Sequence, residues 1–403
     1  LKIIEISSES KLKTIGKNAF DSLKIKRITI PSSVTSIGEG AFAFCKQLEE
    51  IIIPSDSKLQ TIEKDAFYFS KIKSITIPSE LIELKEEWCS GTLYLTKITV
   101  SPKNPRYFCY EDKMIIGKTN IEQDNYDCLI FCVRNIKHIQ IPNFIKHICS
   151  CSFDFSNQLE EIHIPSDSKL ETIGKCAFTC STIKHITISS SVTSISEGAF
   201  SSCKQLEEII IPSDSKLKTI EENAFSSSTI KSITIPSELI ELKEGWCSDT
   251  LELTKITVSP TNPRYFCYEN KMIIGKTNIE QDNYDCLIFC VRNIKHIQIP
   301  NFIKHICSYS FDCCNQLEEI IIPSDSKLET IDKFAFSSST IKSITISSSV
   351  TSIGEYAFFY CGQLEEIFIP NESKLHTIEK DVFCFSAIKS IIIPSSVTSI
   401  GEG

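Results

Sequence analysis

The sequence predicts an α/β-type solenoid dominated by short parallel strands, a curved array of roughly fifteen coils that forms one elongated domain over residues 1–403. Three observations carry that expectation. Ala-Phe recurs at Ala19-Phe20, Ala41-Phe42, Ala66-Phe67, Ala177-Phe178, Ala199-Phe200, Ala224-Phe225, Ala335-Phe336 and Ala357-Phe358. Each is followed by an apolar run of the type Leu48-x-x-Ile51-x-Ile53, which usually ends in Pro. The whole pattern also returns after 158 residues, relating Phe42 to Phe200 and Phe358, Trp88 to Trp246, and Cys109 to Cys267. The chain is therefore about two and a half copies of a six-coil block.

Within one coil, Leu48, Ile51 and Ile53 alternate with polar neighbours, the pattern of a short strand with one buried face. Pro54 cannot donate a ladder hydrogen bond and marks where the chain leaves the sheet. Ser, Asp and Asn supply the turn that follows. A second apolar stretch, Leu59-x-x-Ile62-x-x-x-x-Phe67, returns along the other side with its Phe ring in the coil interior. Leu1-Lys-Ile-Ile-Glu-Ile reads as the strand of a first coil. Ser-Ser-Val-Thr-Ser-Ile-Gly-Glu-Gly403 stops where Ala-Phe would follow, so the array is expected to continue in a longer polypeptide.

One part of each block departs from the pattern. Ser101-Pro-Lys-Asn-Pro-Arg-Tyr-Phe-Cys-Tyr110, Lys113-Met-Ile-Ile-Gly117 and Cys128-Leu-Ile-Phe-Cys-Val133 surround a polar connector. They read as a hairpin-like excursion projecting from one coil at about 101–135, repeated at about 259–293.

Composition narrows the function. A net charge of −9 with Lys and Glu interspersed argues against a nucleic-acid footprint or a polybasic membrane patch. No stretch reaches the roughly 18 uncharged apolar residues that span a bilayer. The 19 cysteines recur in equivalent slots, such as Cys45, Cys203 and Cys361, and are expected to be mostly reduced core or turn residues. Cys128/Cys132 and Cys286/Cys290 read as core or interface residues rather than disulfides or metal ligands.

The strand alternation leaves two columns of side chains on the exposed, concave face of the sheet. Glu50 and Ile52, Glu161 and His163, Glu208 and Ile210, Glu319 and Ile321, and Glu366 and Phe368 are its candidate protein-contacting pairs. A solvated face tuned only for solubility is the alternative. His138, Glu161, His163 and His185 fall on successive strands, but the second block replaces two of the three His, so no metal site is expected. No phosphate-cradling Gly loop and no nucleophile–base arrangement stands out, so neither catalysis nor a cofactor is expected. Asn371-Glu-Ser373 is the lone glycosylation sequon.

The recurring Ile-Pro-x-x-Val-x-x-Ile-x-x-x-Ala-Phe-x-x-Cys-x-x-Leu-x-x-Ile-x-Ile-Pro string, carried by Ile30 to Pro54, Ile188 to Pro212 and Ile346 to Pro370, resembles the BspA-like, or Treponema-type, leucine-rich repeats. In style it is similar to the trichomonad and amoebal surface-antigen sets. The resemblance implies display at the cell surface and binding of a protein partner on host matrix or other cells. An intracellular protein-interaction scaffold and a structural or antigenic coat are the alternatives.

Overall fold

The computed structural model describes residues 4, 6–7 and 9–402; the strand expected at Leu1 to Ile6 lies largely outside the described residues. The chain forms two compact units, Leu1–Gln205 and Leu206–Gly403. Each is built from coils that carry a strand on each of two sides, stacked in parallel on the corresponding strands of neighbouring coils.

In the first unit one ladder runs through Arg27–Thr29, Glu50–Ile52, Ser74–Ile77 and Lys97–Val100, and resumes at His138–Gln140, Glu161–His163 and His185–Thr187. These are the strands expected from the Leu-x-x-Ile-x-Ile runs. The opposite ladder consists of two-residue strands from the returning stretch, Thr14–Ile15, Ser36–Ile37, Thr61–Ile62 and Glu83–Leu84. The second unit repeats the plan, for example in Ser343–Thr345, Glu366–Phe368 and Ser390–Ile391 on one side and Thr330–Ile331, Ser352–Ile353 and Thr377–Ile378 on the other.

The Phe rings fill the interior as expected. Phe153, Phe178 and Phe200 are fully buried, and successive centroids are 5.0 Å apart with rings nearly parallel. Phe311, Phe336 and Phe358 repeat the column in the second unit at 5.0 and 5.1 Å. Trp88 enters the position of the Ala, because the Phe67 N–H donates to its carbonyl at 2.9 Å as the Phe42 N–H does to Ala66 at 2.8 Å. Its indole then passes the aromatic column on to Phe131, 5.9 Å away.

The serines of the turns carry the expected bonds. Ser57 is buried and accepts from the Leu59 N–H at 3.2 Å; Ser168, Ser215, Ser326 and Ser373 do the same for Leu170, Leu217, Leu328 and Leu375. The slot cysteines are turn residues: Cys45, Cys203 and Cys361 donate from Sγ to the carbonyls of Phe20, Phe178 and Phe336 at 3.0–3.1 Å.

Two expectations are corrected. The helical component of an α/β-type solenoid is absent: among the described residues no helix forms. The returning stretch cannot become helical, because the residue before each Ala and the second after each Phe sit at positive φ, as at Asp65 (56°) and Phe69 (50°). Amides alternate between the next coil and their own, Phe178 donating to Ala199 at 2.7 Å while Ala177 and Thr179 donate three residues back to Gly174 and Cys176 at 3.2 Å, so the four-residue ladder of an α-helix does not form. The coil count is also slightly higher, about seventeen turns, because each excursion supplies a turn of its own.

The excursion is more than a projecting hairpin. Tyr107–Tyr110, Met114–Gly117 and Cys128–Cys132 form an antiparallel meander whose last strand lies parallel to His147–Ile148, so it re-enters the short-strand ladder. Asn104 anchors it: Nδ2 donates to Pro78 and Leu81 carbonyls at 2.7 and 2.8 Å, and Oδ1 accepts from the Arg106 and Tyr107 amides at 2.9 and 2.8 Å. All four hydrogen-bonding positions of a buried amide are thereby used. Tyr107 Oη accepts from the Leu84 amide at 3.0 Å, occupying the edge of the Glu83–Leu84 strand. Asn262 and Tyr265 repeat these contacts in the second unit.

Candidate protein-binding face

The long-run ladder places every predicted contact residue on its outer side. In Glu161–His163, Glu319–Ile321 and Glu366–Phe368 the middle Ile is buried and the outer two residues are exposed. Glu208–Ile210 follows the same rule, and in Glu50–Ile52 the Glu is half-buried. The apolar members stand out by exposure: Ile210 45%, Ile321 46% and Phe368 62%, against 36% for Ile52.

Register lines these residues up across coils. Arg27 lies opposite Glu50 and Thr29 opposite Ile52; Arg27 Nε is 2.6 Å from Glu50 Oε2. His138 lies opposite Glu161 and Gln140 opposite His163, with His138 Nδ1 3.3 Å from Glu161 Oε2. In the second unit, Gln298 lies opposite Ile321 and Thr345 opposite Phe368, so each apolar side chain has a polar neighbour on the adjoining strand. At the border of this face Lys73 and Glu49 pair at 2.6 Å, as do Lys231 and Glu207 at 2.7 Å and Lys389 and Glu365 at 2.6 Å. The Lys73 bond holds the Glu49 carboxyl below its usual range. Exposed pairs of this kind contribute little to stability and mainly fix the polar rim.

Among the described residues, the ligating atoms that gather within 4.8 Å belong to Asp249, Asp312 and Cys313, and not to the histidine ladder. Their contacts are internal: Cys313 Sγ donates to Asp249 Oδ1 at 3.1 Å and the Asp249 amide to Asp312 Oδ2 at 2.8 Å. The buried Arg292 guanidinium already sets a positive charge beside Asp312, which disfavours a cation there.

Two features escape sequence reasoning. Arg134, the residue that closes the first excursion, is buried and ion-paired with Asp154, whose other oxygen accepts from Ser90 Oγ at 2.7 Å and the Gly91 amide at 2.9 Å. Arg134 also donates to the Ser152 carbonyl at 3.0 Å and Ser156 Oγ at 3.2 Å, joining coils on both sides of the excursion. Burial raises the Asp154 carboxyl pKa against the opposing pull of Arg134. The second feature is an aromatic surface in the second unit, where Tyr309, Phe334 and Tyr356 stack at 5.0 and 4.9 Å in the positions that precede Ser310, Ala335 and Ala357. The register of those positions against Ala-Phe is the signal that would have found it.

Comparison with known proteins bears on the fold. A leucine-rich cell surface protein from Faecalibacterium prausnitzii is 20% identical, with 97% of this chain and 83% of that one covered and a TM-score of 0.44. The pneumococcal vaccine antigen PcpA is also 20% identical, over 82% of this chain and 84% of its own, with a TM-score of 0.51. A leucine-rich repeat protein from Eubacterium ventriosum is 21% identical over 96% of this chain and 83% of its own, with a TM-score of 0.46. A search of the curated proteins returned no match. The profile of the BspA type leucine rich repeat region matches residues 1–110, 126–261 and 283–403; the residues left out lie within the two excursions and include the strands Met114–Gly117, Tyr265–Tyr268 and Met272–Gly275. The chain is therefore a member of the BspA-type leucine-rich repeat family.

Proposed function

We propose that this chain is a recognition and adhesion scaffold displayed at a cell surface, which binds a protein partner of host matrix or other cells through the outer face of its long-run ladder. The reading rests on one observation above others: Ile210, Ile321 and Phe368 hold large apolar side chains in the open among Glu, Ser, Thr and Gln, where solubility alone would favour polar residues. Apolar centres with polar rims are the anatomy of protein contact sites. In the second unit Glu319–Ile321 and Glu366–Phe368 recur with one strand, Ser343–Thr345, between them, so weak contacts add through effective concentration. The pneumococcal vaccine antigen among the similar structures supports the surface setting as analogy. Among the described residues no helix is long and apolar enough to cross a membrane.

The test replaces Ile210, Ile321 and Phe368 together by Asp and measures binding to immobilised basement-membrane matrix and to intact cells. The reading predicts loss of binding with the fold retained; unchanged binding removes the face from consideration. A second reading, an intracellular interaction scaffold, is favoured by the nineteen free thiols. Surface labelling of intact source cells separates the two.

A further inference from the structure

Each coil places one residue at positive φ immediately before Ala or its substitute, and these residues stack from coil to coil. The aromatic rings of Tyr309 and Phe334 show the stacking directly, centroid to centroid at 5.0 Å with 11° between planes. In the first unit the same two positions of the block are Cys151 (φ 56°) and Cys176 (φ 52°). Hydrogen bonds confirm the alignment: the Cys151 amide donates to the Lys175 carbonyl at 3.0 Å and the Phe153 amide to Ala177 at 2.8 Å. Residues matched across a parallel ladder have Cα atoms about 4.8 Å apart, inside the range a disulfide spans.

We propose that Cys151 and Cys176 are a redox-active thiol pair that closes reversibly into a disulfide joining two successive coils, with low-molecular-weight disulfides as the electron acceptor.

The two sulfurs have different roles. Cys151 is buried, whereas Cys176 is half-exposed. The next coil carries Gly198 at the matching position, and a Cβ there would lie 3.2 Å from Cys176 Sγ, so glycine leaves that sulfur reachable. The Cys151 thiol hydrogen-bonds Cys176, which brings the Cys176 pKa down to about 7 and raises that of Cys151. Cys176 is thus the attacking thiolate and Cys151 the resolving thiol. With glutathione disulfide, the Cys176 thiolate attacks one sulfur, the glutathione S–S bond breaks, and one glutathione thiolate leaves and is protonated. Cys151 then loses its proton to solvent and attacks Cys176 Sγ, expelling the second glutathione thiolate. The two cysteines give up two electrons and two protons, and the glutathione disulfide becomes two thiols. Neither step depends on which partner the scaffold binds.

The test treats the reduced full chain with glutathione disulfide at pH 7 and maps products by mass spectrometry under non-reducing conditions. A Cys151–Cys176 cross-link is expected, reversed by dithiothreitol, while Cys151→Ser is expected to trap a stable glutathione adduct on Cys176. Alkylation of the folded wild type is expected to run about fivefold faster at Cys176 than at half-exposed Cys180, whose thiol is pushed up by burial; the larger thiolate fraction outweighs the lower nucleophilicity. The proposal is overturned if Cys180 and Cys384 acquire glutathione while no cross-link forms. It is equally overturned if the Cys151→Ser adduct is absent, or if Cys176 alkylates no faster than Cys180 in the wild type.

Discussion

Arg134→Met is the most informative single perturbation of the fold. It removes the cation from a pair in which Arg134 and Asp154 side chains are 0% and 1% exposed. Taking one partner out of a buried pair usually costs about 3–5 kcal/mol, because the remaining charge cannot reach water. Asp154 keeps two donors, Ser90 Oγ and the Gly91 amide, which places the expected cost near the lower end, about 3 kcal/mol at pH 7. The sign of the pH dependence follows from the same residue. Burial already raises the Asp154 pKa, and loss of Arg134 raises it further, so the folded variant binds a proton that its unfolded chain does not. Stability of the variant should therefore recover as pH falls through that raised pKa toward the unfolded carboxyl value, and the gap to wild type should narrow with it. Arg134→Met/Asp154→Asn should recover much of the loss at pH 7, since a neutral amide still accepts from both donors. Native-state hydrogen exchange read on peptides spanning residues 85–95 and 150–158 measures the local opening free energy without assuming that the whole array unfolds in one step. A cost under about 1 kcal/mol at pH 7, or a gap independent of pH, would refute the assignment of this pair as the bolt between coils.

Other predictions follow from single contacts. Gly174→Ala should destabilise by about 1–3 kcal/mol, because the new Cβ would meet the Ile148 carbonyl oxygen at 2.7 Å, whereas Gly362→Ala, with nothing within 4 Å, should be near neutral; thermal unfolding separates them. Asp312 is buried and its carboxyl is raised to about 6, so its ionisation opposes folding. Its contribution should fall by about 2 kcal/mol as pH rises from 4 to 7 and be flat well below the unfolded pKa; Asp312→Asn should abolish that slope in a pH series of urea midpoints, and an unchanged slope would contradict the raised pKa.

Much of the fold was legible because repetition multiplies weak signals. The Leu-x-x-Ile-x-Ile alternation, seen once, would not separate a strand from a buried helix turn, but its return with Pro and Ala-Phe does. The buried Phe column and the outward Glu/Ile pairs followed from the same period. What was not legible depends on contacts between coils. Thr61–Ile62 is too short to show alternation and becomes a strand only because Ser36–Ile37 and Glu83–Leu84 flank it. The left-handed positions were hidden because residues such as Phe334, Tyr356 and Cys176, which carry no intrinsic signal for positive φ, fill them beside Asn223 and Gly245. Nothing in the local sequence marks Arg134 as buried, and only the approach of residue 154 makes it a buried cation. The candidate face was legible as geometry, since alternation alone decides which side chains point outward, whereas the identity of a partner is not encoded in a period.

The central claim is that the exposed apolar residues of the long-run ladder, and not surface stickiness in general, hold the partner. A matched pair of variants tests it most directly: Phe368→Asp on the ladder face and Tyr94→Asp on a turn, residues that are 62% and 50% exposed. In equilibrium titrations of labelled protein on immobilised basement-membrane matrix, the account predicts at least about tenfold weaker binding for Phe368→Asp, a loss of roughly 1.4 kcal/mol, and wild-type binding for Tyr94→Asp. Equal loss in both variants, or none at Phe368, would contradict it.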